Sequence, residues 1–422
     1  MATSDEARAT TPAEDHAMLR ALELAARGPV RGPNPRVGCV LLTTDGRTIG
    51  EGWHRGAGTA HAEVAALEDA RAAGHDVRGA TAVVTLEPCD HTGRTGPCTR
   101  ALLAAGVARV VHAVDDPDPA AGGGARTLRS AGVDVVGGVR RAEGEALLET
   151  WLHAVRDGRP WVTLKTATSL DGRVAAADGT SRWITSTDAR ADAHRTRAVV
   201  DAVVVGTGTV LADDPALTVR HGADGAHRTA DEGGAEQHRA EQHRAEQHRA
   251  EQHRAEQDTE QHRAEQDAVA PAPLRVVVGH RAVPDGARLR GPGGELVHLR
   301  THDVDAVLAE LAARGARHVL VEGGPTLASA FLRAGRVDEL HAYVAPVLLG
   351  AGPTAVGDLG VTTLADAPRW SVRTTRRVGT DVLVVARPVR QAGPAPDAPA
   401  SLSPGAAAPP GVPVPPEPAS EA

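Results

Sequence analysis

His61-Ala62-Glu63 opens an alanine-rich helical stretch, the apolar run Ala82-Val83-Val84-Thr85-Leu86 follows it, and Pro88-Cys89 and Pro97-Cys98 end the segment, the second cysteine opening another helical stretch. Helix, strand and helix in that order are the repeat of an α/β layered domain. The run 82–86 is rich in β-branched residues, as are 37–42 and 108–114, so all three are predicted strands. Residues 61–73 and 98–106 are predicted helices, the second stopped by Gly106. The polar residues of the segment share one chemistry. One imidazole and two thiolates, His61, Cys89 and Cys98, suit Zn²⁺, and three protein ligands leave the fourth tetrahedral position open for water, as a catalytic site requires. Zinc brings the pKa of bound water toward neutrality, and Glu63 is placed to carry a proton to a departing amine. Placing His61, Glu63 and Cys98 at helix openings is physically sensible, because unpaired N–H groups and the helix dipole favour thiolate there.

H-x-E followed by P-C-x-x-C is the signature of zinc deaminases. The first half matches, whereas eight residues instead of two separate Cys89 from Cys98, and the inserted loop contains His91-Thr92-Gly93-Arg94-Thr95-Gly96. A closed structural zinc site, with His91 or Cys39 as its fourth ligand, is the competing reading. A lone His-x-Glu is weak evidence, since the two residues often share a solvated helix end, and the Pro-Cys pairs supply the weight.

A chain of 422 residues is too long for one ordinary core and suggests two domains with extra segments. Its net charge of −8 gives no electrostatic footprint for nucleic acid and favours a small-molecule substrate. Three cysteines, two of them already assigned, imply no disulfide framework. With no basic-then-apolar leader and no apolar run long enough for a bilayer, the expectation is a cytoplasmic protein without membrane contact. The oligomeric state is left open, a homo-oligomer being one option.

After a linker around 156–160 a second α/β series begins with a strand at 161–165 and continues with predicted strands at 199–205, 274–278, 317–321, 340–344 and 382–386. Two strands run into small-residue turns, Gly206-Thr207-Gly208-Thr209 and Glu322-Gly323-Gly324-Pro325-Thr326. Such turns let backbone N–H groups approach a phosphate at a helix start, although neither is the G-x-G-x-x-G fingerprint. Lys165 reads as pointing from a strand edge, either as a rim side chain or as a substrate contact, and it is assigned no catalytic role.

Asn34-Pro35-Arg36-Val37-Gly38, Gly52-Trp53-His54 before the His-Ala-Glu, Thr85-Leu86-Glu87-Pro88-Cys89, Ala105-Gly106-Val107 and Asp115-Asp116-Pro117 closely resemble the deaminase half of the bifunctional riboflavin-biosynthesis deaminase/reductase. Lys165 to Arg173, Ser181-Arg182-Trp183-Ile184-Thr185, Leu211 to Arg220 and Glu322 to Thr326 look like its reductase half. The resemblance covers most of residues 14–388. It implies a cytidine-deaminase-like three-layer α/β domain over 14–155 and a dihydrofolate-reductase-like domain over 160–388. It also implies Zn²⁺ and NADPH as cofactors and a phosphoribosylamino-pyrimidine as substrate. Carried over position by position, NADPH contacts are implied at Ala167, Trp183, Thr209, Asp213, Gly324, Pro325, Thr326, Leu327, Ala328, Ser329 and Ala330. Substrate contacts are implied at Ser181, Arg197, Leu217, Arg220 and Glu322, and the two arginines suit a ribose phosphate.

Residues 235–267 repeat Ala-Glu-Gln-His-Arg with period five and have no apolar face, so the tract reads as a disordered, solvated insertion in a reductase loop. The Pro/Ala-rich tail over 391–422 reads the same way. Three function classes follow: a bifunctional enzyme with both activities, a zinc deaminase of another nucleotide with an inactive reductase domain, and a non-catalytic zinc module. Glu63, two residues from a ligand, argues against the last.

Overall fold

The computed structural model describes residues 10–91, 96–219 and 272–389. Arg94, Arg220, the repeats at 235–267 and the tail at 391–422 lie outside these residues.

The first sheet comprises β1 (Gly38–Leu42), β2 (Thr48–Trp53), β3 (Thr81–Leu86), β4 (Arg109–Val114) and β5 (Asp134–Gly137), in the order β2-β1-β3-β4-β5. β1 is antiparallel to β2 and β3, while β3, β4 and β5 are parallel. The runs expected as strands are the three central ones. β1 and β4 are buried at every residue, which is why they carry continuous apolar sequence: both of their faces are covered. Side chains alternate between faces along a strand. Val40, Val83 and Val111 therefore meet α1 (Pro12–Ala26) and α5 (Arg141–Asp157) through Met18, Leu24, Leu148 and Leu152. Leu41, Val84 and Val110 meet α2 (Ala62–Ala72), α3 (Cys98–Ala105) and α4 (Gly124–Ser130) through Leu67, Leu102 and Leu128. The result is the expected three-layer domain.

α1 starts on a capping box, with Glu14 N–H donating to Thr11 Oγ1 and Thr11 N–H to the Glu14 carboxylate, and Pro12 supplies a pre-set first turn. α3 ends where Gly106 turns left-handed at φ 75°, as its sequence predicts.

The second sheet comprises β6 (Trp161–Ser169), β7 (Ala202–Gly206), β8 (Leu274–Val278), β9 (Leu296–Leu299), β10 (His318–Val321), β11 (Glu339–Ala345), β12 (Trp370–Val378) and β13 (Asp381–Pro388). Its order is β12-β13-β11-β6-β10-β7-β8-β9, parallel from β11 to β9 and closed at the other edge by the antiparallel hairpin β12-β13. α6 (Thr187–Ala198), α7 (Thr207–Asp213), α8 (Val304–Ala313) and α9 (Pro325–Arg333) complete the domain. Leu308, Leu311 and Phe331 pack on Leu164, Val204 and Val319 on one face, and Val203, Val205, Val277 and Leu320 form a separate cluster with Leu289.

Two expectations need correcting. The strand expected from residue 199 starts at Ala202, because α6 runs on to Ala198 and Val199 is its cap. Lys165 is not at a strand edge: β6 lies between β11 and β10, well inside the sheet. The two sheets are joined through α5, whose Glu149 pairs with Arg387 of β13 (2.5 Å) and whose His153 packs edge-on against Trp161 of β6. No helix among the described residues is long and apolar enough to cross a membrane.

Candidate active sites

His61 is the residue before α2, with an extended backbone and no side-chain capping bond, so its imidazole is left for other partners. Its Nδ1 lies 3.5 Å from Cys89 Sγ and 3.2 Å from Cys98 Sγ. The three ligand atoms all fall within 4.8 Å of one another. Tetrahedral zinc with bonds of about 2.0 Å to nitrogen and about 2.3 Å to sulfur spaces such atoms by roughly 3.5 Å, so the set fits. Neither His91 nor Cys39 joins it among the described residues, and Cys39 is wholly buried in β1. The closed structural site is therefore not what this geometry builds.

The electrostatics also ask for a cation. The Cys98 thiol and backbone N–H, with His61, hold the Cys89 thiol well below its usual range, whereas the Cys89 thiolate and burial push Cys98 up. Two sulfurs this close oppose each other's ionisation, and a divalent ion between them would let both ionise. Glu63, in the first turn of α2 and only 3% exposed, is pushed up to about 7 by burial.

The surrounding loops fix the cysteines. Glu87, just past β3, accepts the N–H groups of Ala125 (2.9 Å) and Asp116 (3.1 Å), and Asp90 accepts the hydroxyls of Thr99 (2.7 Å) and Thr127 (2.6 Å). A Cβ on Gly124 would stand 1.8 Å from the Pro88 carbonyl oxygen, so only glycine lets α4 start against the backbone that presents Cys89. Asn34 and His54, quoted in the sequence without a role, belong to the same site. His54 Nε2 accepts from Asn34 Nδ2 (2.9 Å), its Nδ1 faces the Ala60 carbonyl (3.1 Å), and its ring meets His61 edge-on at 5.4 Å. Burial lowers the His54 pKa and keeps the ring neutral.

In the second domain a cleft of about 1080 Å³ lies where β7, β8 and β10 end. Crevices outside the carboxyl ends of such strands are where open α/β sheets take ligands. Ala167, Ser181, Thr209, Asp213, Glu322, Gly324, Pro325, Thr326, Leu327 and Ala330 line it. The two small-residue turns meet there, Gly324 N–H donating to Thr209 Oγ1 (3.1 Å).

Trp183, Arg197, Leu217, Ala328 and Ser329 are not among the residues lining the cleft. Trp183 is 68% exposed, with the Arg190 guanidinium 4.3 Å over its ring. Leu217 is buried at φ 52° in the core, and Ala328 is wholly buried on α9. The Ser329 hydroxyl donates to Pro325 O (2.7 Å) and accepts from Gly357 N–H (2.8 Å). Arg197 spends Nε and Nη2 on Glu322 (2.7 Å each) and Nη1 on Thr218 O (3.3 Å), so its fork is already engaged.

Lys165 also lines the cleft, next to Glu322, where burial lowers its pKa and the carboxylate opposes that. Glu322 thus neutralises two largely buried cations. Glu322→Ala is expected to cost about 3–5 kcal/mol, because it leaves buried charge uncompensated; thermal melting checks this, and an unchanged melting temperature contradicts it.

A His-Cys-Cys set beside a buried carboxylate is the arrangement of a zinc-dependent hydrolase, and it is followed by a second domain with a ligand cleft built from small-residue turns. Residues 12–114 match the cytidine and deoxycytidylate deaminase zinc-binding region, and residues 160–384 match the RibD C-terminal domain. The chain is 45% identical over 375 residues to the riboflavin biosynthesis protein RibD of Mycobacterium tuberculosis, covering 88% of this chain and 96% of that protein. It is 43% identical over 377 residues to RibD of Escherichia coli, covering 87% and 98%. A crystal structure of a diaminohydroxyphosphoribosylaminopyrimidine deaminase/5-amino-6-(5-phosphoribosylamino)uracil reductase from Thermotoga maritima superposes with a TM-score of 0.71 at 32% identity, covering 89% and 99%. The chain belongs to the RibD family. It is a bifunctional enzyme of riboflavin biosynthesis, a zinc-dependent deaminase and an NADPH-dependent reductase, hydrolase and oxidoreductase in one polypeptide.

Proposed function

We propose that the first domain, residues 14–155, hydrolyses the ring amine of 2,5-diamino-6-(5-phosphoribosylamino)pyrimidin-4(3H)-one. The second, residues 160–388, then reduces the ribosyl chain of the product to give 5-amino-6-(5-phosphoribitylamino)uracil. The observation that carries the first step is the convergence of His61, Cys89 and Cys98 within 4.8 Å beside buried Glu63.

His61, Cys89 and Cys98 would hold zinc, which when bound would supply a Lewis acid that acidifies water. Glu63 would take a proton from the attacking water as the C–O bond forms and hand it to the nitrogen as the C–N bond breaks, so that ammonia leaves and the carboxylate is restored. Asn34 and His54 border the substrate ring, the neutral His54 holding the Asn34 amide by its Nδ2 and leaving its Oδ1 as an acceptor.

In the second domain NADPH, when bound, would supply the hydride. Ala167, Trp183, Thr209, Asp213 and the turn from Gly324 to Ala330 are assigned to the cofactor, and Ser181, Arg197, Leu217, Arg220 and Glu322 to the substrate. What supports this is that ten of these positions line one cleft, the turn into α9 among them. The net charge of −8 argues for a small-molecule substrate and against nucleic acid, and the reduced thiolates suit a cytoplasmic setting. A homo-oligomer is compatible with this reading.

Titration of the full chain with NADPH, read by cofactor fluorescence, is expected to saturate. The absence of saturable binding would favour the competing reading, a deaminase with an inactive reductase domain.

A further inference from the structure

The loop between α1 and β1 carries Asn34 to its place beside His54, and residues of both domains hold it. Within the first domain, Trp151 Nε1–H donates to Pro33 O (3.2 Å) and Arg36 Nη2–H to Leu147 O (3.0 Å), both from α5. The third tie comes from the reductase domain. Asp201, at the start of β7, accepts the Gly32 N–H on Oδ1 at 2.7 Å, the shortest of the three. Its other oxygen, Oδ2, accepts the N–H groups of Arg317 (2.8 Å) and His318 (2.9 Å) at the start of β10. One carboxylate thus bridges the reductase sheet and the deaminase loop.

Two features make this tie more than a local ornament of β7. Gly32 stands at φ +109°, a conformation that L side chains rarely adopt, so the loop is shaped to present that N–H to Asp201. Gly32 is also only two residues from Asn34, whose amide reaches His54, whose ring in turn packs on the zinc ligand His61. Asp201 is itself held by the two N–H groups of β10, so its oxygen toward Gly32 is fixed in place. The tie can therefore decide where the loop rests.

We infer that Asp201 is a positioning residue for deamination: the reductase domain, through this carboxylate, fixes Gly32 and so holds Asn34 against His54 in the zinc site. The deaminase site is then complete only with the reductase domain docked. The inference rests on the assignment of Asn34 and His54 to the substrate given above.

Asp201→Asn tests it with little change of shape. The backbone donors of β10 face Oδ2 and the Gly32 N–H faces Oδ1, with Arg31 a nearby cation, so the new amide settles with its oxygen toward Arg317 and His318 and its NH₂ toward the Gly32 N–H, donor against donor. In the full-length chain the KM for deamination of the diaminopyrimidinone phosphate is expected to rise about tenfold with kcat held, the pattern of lost uniform binding. Zinc content, and reduction of the supplied deaminated product, should equal the parent's. An unchanged KM overturns the inference, as do equal losses in both activities with a lowered melting temperature, which would mark Asp201 as a brace for β7 and β10 alone.

Gly32→Ala approaches the same bond from the other side. A Cβ there meets nothing within 4 Å, so the strain is confined to the loop and the reductase sheet is untouched. The same rise in KM is expected with reduction unaffected, and a parental KM in this variant overturns the inference even if Asp201→Asn fails to fold. Deamination by the parent chain in the same assay separates a wrong substrate assignment, in which the parent itself is idle, from a wrong role for Asp201.

Discussion

Glu63→Gln keeps its zinc and loses deamination by about 10²–10⁴-fold, the share that a positioned general acid–base group contributes. The substitution preserves the shape and burial of the first turn of α2 but removes the only group there able to take a proton and return it. His61, Cys89 and Cys98 are unaltered, so metal analysis should find the parental zinc content while ammonia release collapses. Reduction of a supplied deaminated substrate should proceed as in the parent, because Glu63 lies on the other domain from the cleft. Near-parental deamination would remove Glu63 from the mechanism.

Cys98→Ser acts on the metal itself. A hydroxyl is a hard, weakly acidic ligand in place of a soft thiolate. Cys98 is wholly buried at the first position of α3, where serine fits without displacing the helix. Zinc should be lost and deamination with it, whereas NADPH oxidation with the deaminated intermediate should continue, since no residue of the zinc set lines the cleft. Loss of reduction in a variant whose circular dichroism matches the parent would contradict the two-site account.

The candidate metal site was legible in the sequence because His61, Glu63, Cys89 and Cys98 lie within one helix-strand-helix segment and only a few residue types can do this chemistry. Gly106 and the buried strands at 37–42, 82–86 and 108–114 were legible for a related reason: a left-handed cap and two-sided burial each leave a local signature. β12 left none. It is exposed along nearly all its length, so no alternation of apolar and polar residues marks it, and β9 spans four residues only. The Thr11-Pro12-Ala13-Glu14 capping box is a local sequence signal for the start of α1.

The limits at the second site have a different cause. Its turns at Gly206 and Gly324 announced a cleft, but Lys165 could be placed inside the sheet only once β11 and β10 were known to flank β6. That Arg197 is committed to Glu322, 125 residues away, and that Gly32 meets Asp201, 169 residues away, are facts of tertiary contact that no local pattern encodes.

The most direct test of the whole account is mass spectrometry of the diaminopyrimidinone phosphate after incubation with the purified full-length chain, with and without NADPH. Without NADPH the product should carry an oxygen in place of one ring amine, with ammonia released in equal amount; with NADPH the same product should gain two hydrogens as the ribosyl chain opens to ribityl. Unchanged substrate in both arms, or a deaminated product that never gains hydrogen when NADPH is present, would contradict it.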